Sequence, residues 1–427
     1  MPELGPSPLA SGAELPVDAA RAAITAALRP IRQTETLPIA QALGRVLAAD
    51  LVSPIDVPAH DNSAMDGYAL HGADLDPAAA TLLQALPDTV FAGAAPGPVP
   101  ARGQCVRIMT GAVMPTGLDT VVPIELCTLH GAVVKLQPGV LRAGENRRRR
   151  GEDLAQGKPA LKAGRVLRPA DLGLIASLGF AEVTVMRRLR VALFSTGDEL
   201  RNPGEPLPPG CIYDSNRASL RGALDRLGIE VLDLGLVPDD PVALQATLET
   251  AVAGADAVVT SGGVSMGDAD YIRDLLAGMG EVAFWKVAMR PGRPFAFGRL
   301  RGPAGSEVTG PYLFALPGNP VAALVTFYAF AREALLVLAG AQPLPLPVLQ
   351  ARSVAAIRKR PGRTEFQRAV VESAADATGW QVRLTGSQGA GILRSMSEAN
   401  ALVVLHHEQG SVAEGDAVDV WLFDGLV

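Results

Sequence analysis

Four short apolar runs in one stretch of chain each stop at a polar loop, and this pattern constrains the fold more than any other. Arg190-Val191-Ala192-Leu193-Phe194 runs into Ser195-Thr196-Gly197-Asp198-Glu199. Residues 231–237 run into Pro238-Asp239-Asp240, and Val258-Val259-Thr260 runs into Ser261-Gly262-Gly263. Residues 312–316 run into Pro317-Gly318-Asn319-Pro320. Helical patterns lie between them, over 218–227 and 241–252. Strands alternating with helices predict a parallel sheet covered on both faces. Ligands of such sheets bind outside the carboxyl ends of the strands, at a switch in strand order, so the polar loops are expected to converge on one crevice.

The third loop is the richest. It continues as DAVVTSGGVSMGDAD, ending in Asp268 and Asp270. Adjacent glycines let the backbone turn sharply and approach a ligand closely. A helix is expected from about 269 to 279, and its free N–H groups favour an anion. Phosphate beside carboxylates suggests Mg²⁺ between them, since this ion commonly takes one or two carboxylates plus substrate phosphates. Taken alone, the segment also reads as an ordinary strand-turn-helix.

At 427 residues the chain exceeds the ~250–300 at which a single core stops growing, so several domains are expected. A 48% hydrophobic and 19% charged composition reads as globular, not disordered. The net charge of −6 gives no global attraction for nucleic acid, so any anion site must arise locally. Cys105, Cys127 and Cys211 are an odd, widely spaced set, which argues against a disulfide framework and for a reducing cytoplasm. The five histidines show no zinc-ligand spacing. The first residues lack the basic start and apolar core of a signal peptide, and a cytoplasmic location is expected. The most apolar run, 321–338, contains Arg332 and Glu333, so no membrane span is expected.

The pattern predicts a multidomain α/β plus β chain. Residues 1–15 read as a disordered leader, and 16–29 as a helix packing on the α/β domain. Residues 30–57 and 155–186 form a small connecting domain, with a strand, a helix and an extended piece over 34–52 and a strand-helix-strand over 161–186. Between them, 58–154 form a β-rich inserted domain. Residues 187–340 form the three-layer α/β domain. A proline-rich linker, AQPLPLPVL, leads to strands over 364–371, 380–385, 401–406 and 417–423, a small C-terminal β barrel or roll at 346–427.

Three further clusters carry possible chemistry. His60-Asp61-Asn62-Ser63-Ala64-Met65-Asp66-Gly67-Tyr68 is either an Asx-turn with a glycine break or a functional loop. Arg147–Arg150, followed by Gly151-Glu152-Asp153, is either a solvated loop or a grip for an oxyanion, which guanidinium forks match. Residues 284–294 carry Lys286, Arg290 and Arg293, either surface charge or the positive side of the crevice. No Ser-His-Asp or Cys-His arrangement is suggested. The inventory suits electrostatic catalysis: carboxylates, cations and glycine loops with backbone donors.

In order along the chain stand HDNSAMDGYAL, RIMTGAVMPTGLDTVV, GENRRRRGEDL, LFSTGDEL, IYDSNR, TSGGVSMGDADYI, FWKVAMRPGRPFAFG and LPGNPVAALVTF. Together they resemble the molybdopterin molybdenumtransferase family (MoeA type, similar to the E domain of gephyrin). The resemblance spans residue 17 to the C-terminus. It implies a four-domain homodimer whose α/β domain holds a molybdopterin nucleotide, in a crevice facing the partner subunit's β-rich domain. It implies insertion of molybdate into adenylylated molybdopterin with release of AMP, Mg²⁺ at the phosphates, and contact with other proteins of the same pathway. By motif position it implies catalytic roles for Asp66, Asp153, Glu199, Asp239, Asp270 and Lys286. Metal positions would be Asp239 and Asp270. Substrate contacts would come from Thr196, Gly197, Ser261, Gly262, Gly263, Ser265, Arg290, Arg293, Pro317, Gly318, Asn319 and Pro320. Arg290 and Arg293 stand where lysine is usual, which keeps charge but changes shape. Alternatives are the preceding adenylylation by ATP, a scaffold for a partner protein, and a tungstate-selective variant.

Overall fold

The computed structural model describes residues 14–95, 99–263, 275–276, 278–302, 310–343, 346–374 and 379–423. Six strands form the central sheet: β1 (Arg190–Thr196), β2 (Glu230–Val237), β3 (Ala257–Ser261), β4 (Gly280–Lys286), β5 (Pro294–Leu300) and β6 (Tyr312–Leu316). Their order is β2-β1-β3-β6-β5-β4. The first four in this order are mutually parallel, and β5 is antiparallel to both β6 and β4. The chain leaves β1 toward β2 on one side, then crosses back to β3 on the other. The switch in strand order therefore lies between β1 and β3.

Alternation along the strands builds two cores. Val191 and Leu193 of β1 and Val259 of β3 meet Leu220, Ala223 and Leu224 of helix α1 (Ser215–Arg226). Ala192, Phe194 and Val258 face the other way, onto Leu244, Leu248 and Ala251 of helix α2 (Pro241–Gly254). A strand buried on both faces reads as a continuous apolar run, which is why these strands were legible. The larger core also holds Phe295, Phe297, Phe314, Phe327 and Phe330, each contributing about 2 kcal/mol by burial.

A long helix, α3, runs Pro320–Leu338, with a π-helical stretch at Phe327–Ala331. Its length and composition would suit a membrane span, but most of it is buried inside the fold as a core helix.

The N-terminal helix Val17–Ala27 buries Val17, Ala20 and Ile24 in that same core. Of the leader expected at 1–15, only residues 14 and 15 are among the described residues, and they pack on the fold. Leu15 forms a bridge with Val287, donating to Lys286 O at 2.8 Å and accepting from Ala288 N at 2.8 Å.

Thr34–Pro38 pairs with Glu182–Met186, and Leu51–Val52 with Pro159–Leu161. The helix expected within 34–52 does not form. Only a single 3₁₀ turn, Ile39–Gln41, is present, and isolated bridges from Val46 and Leu47 draw the chain into extended pairing. Gly44, at φ +73°, turns the chain between them. The intervening segment carries its own six-stranded sheet, which includes Gly67–Leu70, Thr81–Val90 and Gln104–Ile108.

At the C-terminus Leu349–Ser353, Thr364–Ser373, Trp380–Leu384, Ala401–Leu405 and Ala417–Leu422 close into a five-stranded barrel. Closure follows because Thr364–Ser373 pairs with both Trp380–Leu384 and Ala401–Leu405. The proline linker lies partly outside the described residues.

Candidate functional site

The carboxyl ends of β1, β2, β3 and β6 lie along one edge of the sheet, and the predicted loops follow them there. At the switch point Gly262 adopts φ +92°, and a Cβ there would sit 2.6 Å from Thr196 O and 2.8 Å from Thr196 Oγ1. Only glycine permits both the dihedral and the approach. Gly263, at φ +70°, extends the turn, and Gly262 N donates to Leu316 O at 3.1 Å. The β1, β3 and β6 loops are therefore locked together by backbone.

The Thr196 hydroxyl is buried and has no hydrogen-bond partner among the described residues. An unpaired buried hydroxyl costs about 1–3 kcal/mol, and such an exception calls for an explanation. A void of about 20 Å³ beneath Gly262 and Gly263, lined by Thr196 and Thr260, is sized for no more than a water. A ligand must lie outside the strand ends.

Acidic side chains gather beside β1 and β2. Asp239 N donates to Asp198 Oδ1 at 3.1 Å. Partial burial, then the neighbouring Asp198 and Glu199 carboxylates, push the Asp239 pKa up. A divalent cation would relieve this repulsion. Among the described residues no three acidic, histidine or cysteine side chains form a ready-made metal cage. Asp270 and Ser265, and most of the helix expected at 269–279, fall outside the described residues.

Beneath the loops lies a buried network of which the sequence reading assigned only Ser261, as a substrate contact. Ser195 Oγ lies 3.0 Å from Ser261 Oγ and 3.2 Å from Asp214 Oδ1. Asp214 caps α1 by accepting from Arg217 N at 3.0 Å, and Arg217 Nε reaches Asp214 Oδ2 at 3.1 Å. Arg217 also pairs with Asp233 at 2.9 Å. Asn216 Nδ2 donates to Gly318 O at 2.6 Å, fixing the Pro317–Pro320 turn to α1. The local signal was present in Asp214-Ser215-Asn216-Arg217, an N-cap residue opening a helix. At α3 Pro320 occupies the first turn and the Asn319 side chain makes no cap bond. Part of that helix end is taken by the barrel, since Val321 N donates to Ala390 O at 3.0 Å.

The cations are less gathered than their spacing suggests. Lys286 ends β4 opposite Pro294, on the same edge as the glycine loops but on the outermost strand. Arg290 leaves the central sheet, and Met289–Arg290 pairs with Thr364–Glu365 of the barrel. Arg293 forms an ion pair with Glu14, a partner in the segment expected to be leader.

Asp66 and Asp153 belong to the inserted segment. Asp66 accepts from Thr110 Oγ1 at 2.6 Å and Thr110 N at 2.7 Å, which holds its carboxyl below the usual range. Asp153 N donates to Val57 O at 3.0 Å. Two of the four consecutive arginines are engaged locally: Arg150 Nε donates to Asp56 at 2.6 Å, and Arg147 lies 3.5 Å from Asp61.

Three family descriptions match in succession: the MoeA N-terminal region (domain I and II) over 15–179, a probable molybdopterin binding domain over 192–336, and the MoeA C-terminal region (domain IV) over 350–423. A molybdopterin molybdenumtransferase of Haemophilus influenzae is 38% identical over 97% of this chain and 100% of its own length. Molybdopterin molybdenumtransferase 2 of Mycobacterium tuberculosis is 38% identical over 92% of this chain and 95% of its own. The crystal structure of the molybdopterin biosynthesis moeA protein of Pyrococcus horikoshii superposes with a TM-score of 0.81 at 27% identity, covering 96% of this chain and 100% of that one. With identity at this level along nearly the whole chain, over a sheet that ends in these loops, the protein belongs to the molybdopterin molybdenumtransferase family, transferases of molybdenum cofactor biosynthesis.

Proposed function

We propose that the chain inserts molybdate into adenylylated molybdopterin and releases AMP. The observation that carries this reading is the glycine turn at the switch point, where Gly262 lets the β3 loop close onto Thr196 and Leu316 so that the β1, β3 and β6 loops meet at one edge of the sheet. Thr196, Gly197, Ser261, Gly262 and Gly263 would bind the nucleotide's phosphates through backbone donors, with a contribution from Ser265. The Pro317-Gly318-Asn319-Pro320 turn would hold the pterin end, steadied by Asn216. Asp239 and Asp270 would hold Mg²⁺ with the phosphates, and the crowding of Asp239 by Asp198 and Glu199 suits that role. Bound there, the ion would neutralise phosphate charge as AMP departs. Glu199 forms the acidic floor, and Lys286, at the same edge, would attract molybdate. Arg290 and Arg293 are weaker candidates, since one is drawn to the barrel and the other is paired with Glu14.

Asp66 and Asp153 are bound into the inserted segment, so the reading gives them to a crevice completed by a second copy in a homodimer. The test measures AMP release from adenylylated molybdopterin, with and without molybdate and Mg²⁺, in wild type, Asp239→Ala and Asp270→Ala. Release that needs both ions and collapses in the variants is the expected result. Release indifferent to molybdate would sink the reading and turn attention to ATP-dependent adenylylation.

A further inference from the structure

A second cleft, of about 380 Å³, opens at the other end of the central sheet. Arg188, just before β1, and Gly228, just before β2, line it, which places it at the amino-terminal ends of the strands. One wall comes from the small strand-and-helix body at 43–46 and 166–168, and another from the last turns of α3.

Its charge is unusual for a chain of net charge −6. Arg45, Arg168, Arg188, Arg226 and Arg332 line it, against Asp225 and Glu333. Arg45 is engaged by Glu35 and by Met186 O at 2.8 Å, and Asp225 by Arg221 at 3.0 Å. Those pairs and Arg332 aside, Arg168, Arg188 and Arg226 face Glu333. Arg188 gives one N–H to Gly228 O at 2.9 Å, one of the five a guanidinium offers. Between the cations the surface is apolar, with Val46, Leu227 and Leu336.

We propose that this cleft binds a small phosphorylated molecule of nucleotide size, its phosphates on Arg188 and Arg226 and its apolar body on Leu227 and Leu336. The volume lies in the range of small-molecule sites, roughly 300–1,000 Å³. Guanidinium forks match phosphate oxygens in bidentate fashion. With Glu333 as the remaining carboxylate, the cleft offers no set of acidic ligands for Mg²⁺, so binding here needs no metal held by the protein. That separates it from the carboxyl-end crevice.

The test titrates the full-length protein with ATP in EDTA, by calorimetry, with adenosine as the phosphate-free control. Saturable ATP binding and no adenosine binding are expected. The double variant Arg188→Ala/Arg226→Ala should weaken ATP by roughly tenfold or more, the scale of losing charged hydrogen bonds. Both side chains are exposed, so the variant should fold, which its thermal melt checks. Lys286→Ala should leave the affinity unchanged. The proposal is overturned if ATP does not saturate, if adenosine binds as tightly, if the double variant binds like wild type, or if Lys286→Ala abolishes binding and so places the nucleotide at the other edge.

Discussion

The two ends of the central sheet carry opposite chemistry. At the carboxyl end backbone approaches backbone, glycines replace side chains, and the nearby ionisable groups Asp198, Glu199 and Asp239 are acidic. At the amino end long arginine side chains surround an apolar floor. The same strands β1 and β2 run between them. At the first end backbone packs directly against backbone, so it tolerates almost no added atom. The second relies on long flexible side chains, so loss of one costs affinity but little structure. Sensitivity to mutation should therefore fall steeply from one end of the sheet to the other.

The largest effect is expected at Gly262. Alanine there would adopt a left-handed backbone costing about 1–2 kcal/mol. Its methyl would also meet Thr196 O at 2.6 Å, an overpacking worth about 1–3 kcal/mol. Gly262→Ala should lower stability by about 2–5 kcal/mol in urea unfolding and abolish AMP release. Wild-type stability in this variant would show that the carboxyl end is not closely packed around Gly262.

Asp214 comes next. It is buried, caps α1 and partners both Ser195 and Arg217. Removing a cap costs about 1 kcal/mol, and leaving buried partners unsatisfied about 1–3 more. Asp214→Ala should therefore lose about 2–4 kcal/mol. Asn216→Ala should lose far less stability but raise KM, because its bond to Gly318 positions the turn at the pterin end. Equal losses in the two variants would show that the network supports the fold alone.

Local signals were readable where pattern and burial coincide. β1, β3 and β6 are covered on both faces and announce themselves as apolar runs, and Pro241 and Pro320 mark real helix starts. What the sequence concealed is non-local. The arginines of the second cleft come from positions as far apart as 45, 168, 226 and 332, and no window contains two of its walls. Barrel closure depends on one strand taking two partners. Glu14 reads as leader because its ion pair is with Arg293, far along the chain. Arg293 itself invited a site role by proximity to Lys286 in sequence. Lysine occurs only five times in the chain, so arginine at 290 and 293 reflects a general preference as much as a local demand.

The smallest expected effect tests the acidic end from the opposite direction. The folded-state pKa of Asp239 is raised, so the native state holds that proton more tightly than the unfolded chain does. Its favourable contribution is present below the unfolded value of about 3.9 and is lost as pH rises through the raised folded value. At neutral pH the ionised carboxylate is then a liability to stability. Asp239→Asn should be slightly more stable than wild type at pH 7, by a few tenths of a kcal/mol at this exposed position, since solvent screens the repulsion. The gap should close near pH 3, about one unit below the unfolded value, where the aspartate is mostly protonated in both states. Mg²⁺ should stabilise wild type and leave the variant unmoved, while AMP release fails in the variant. Urea midpoints at the two pH values, each with and without Mg²⁺, measure all of this. A variant less stable than wild type at pH 7 without Mg²⁺ would mean that Asp239 serves the fold, and the acidic end would lose its distinction from the arginine end as a site kept for its ligand.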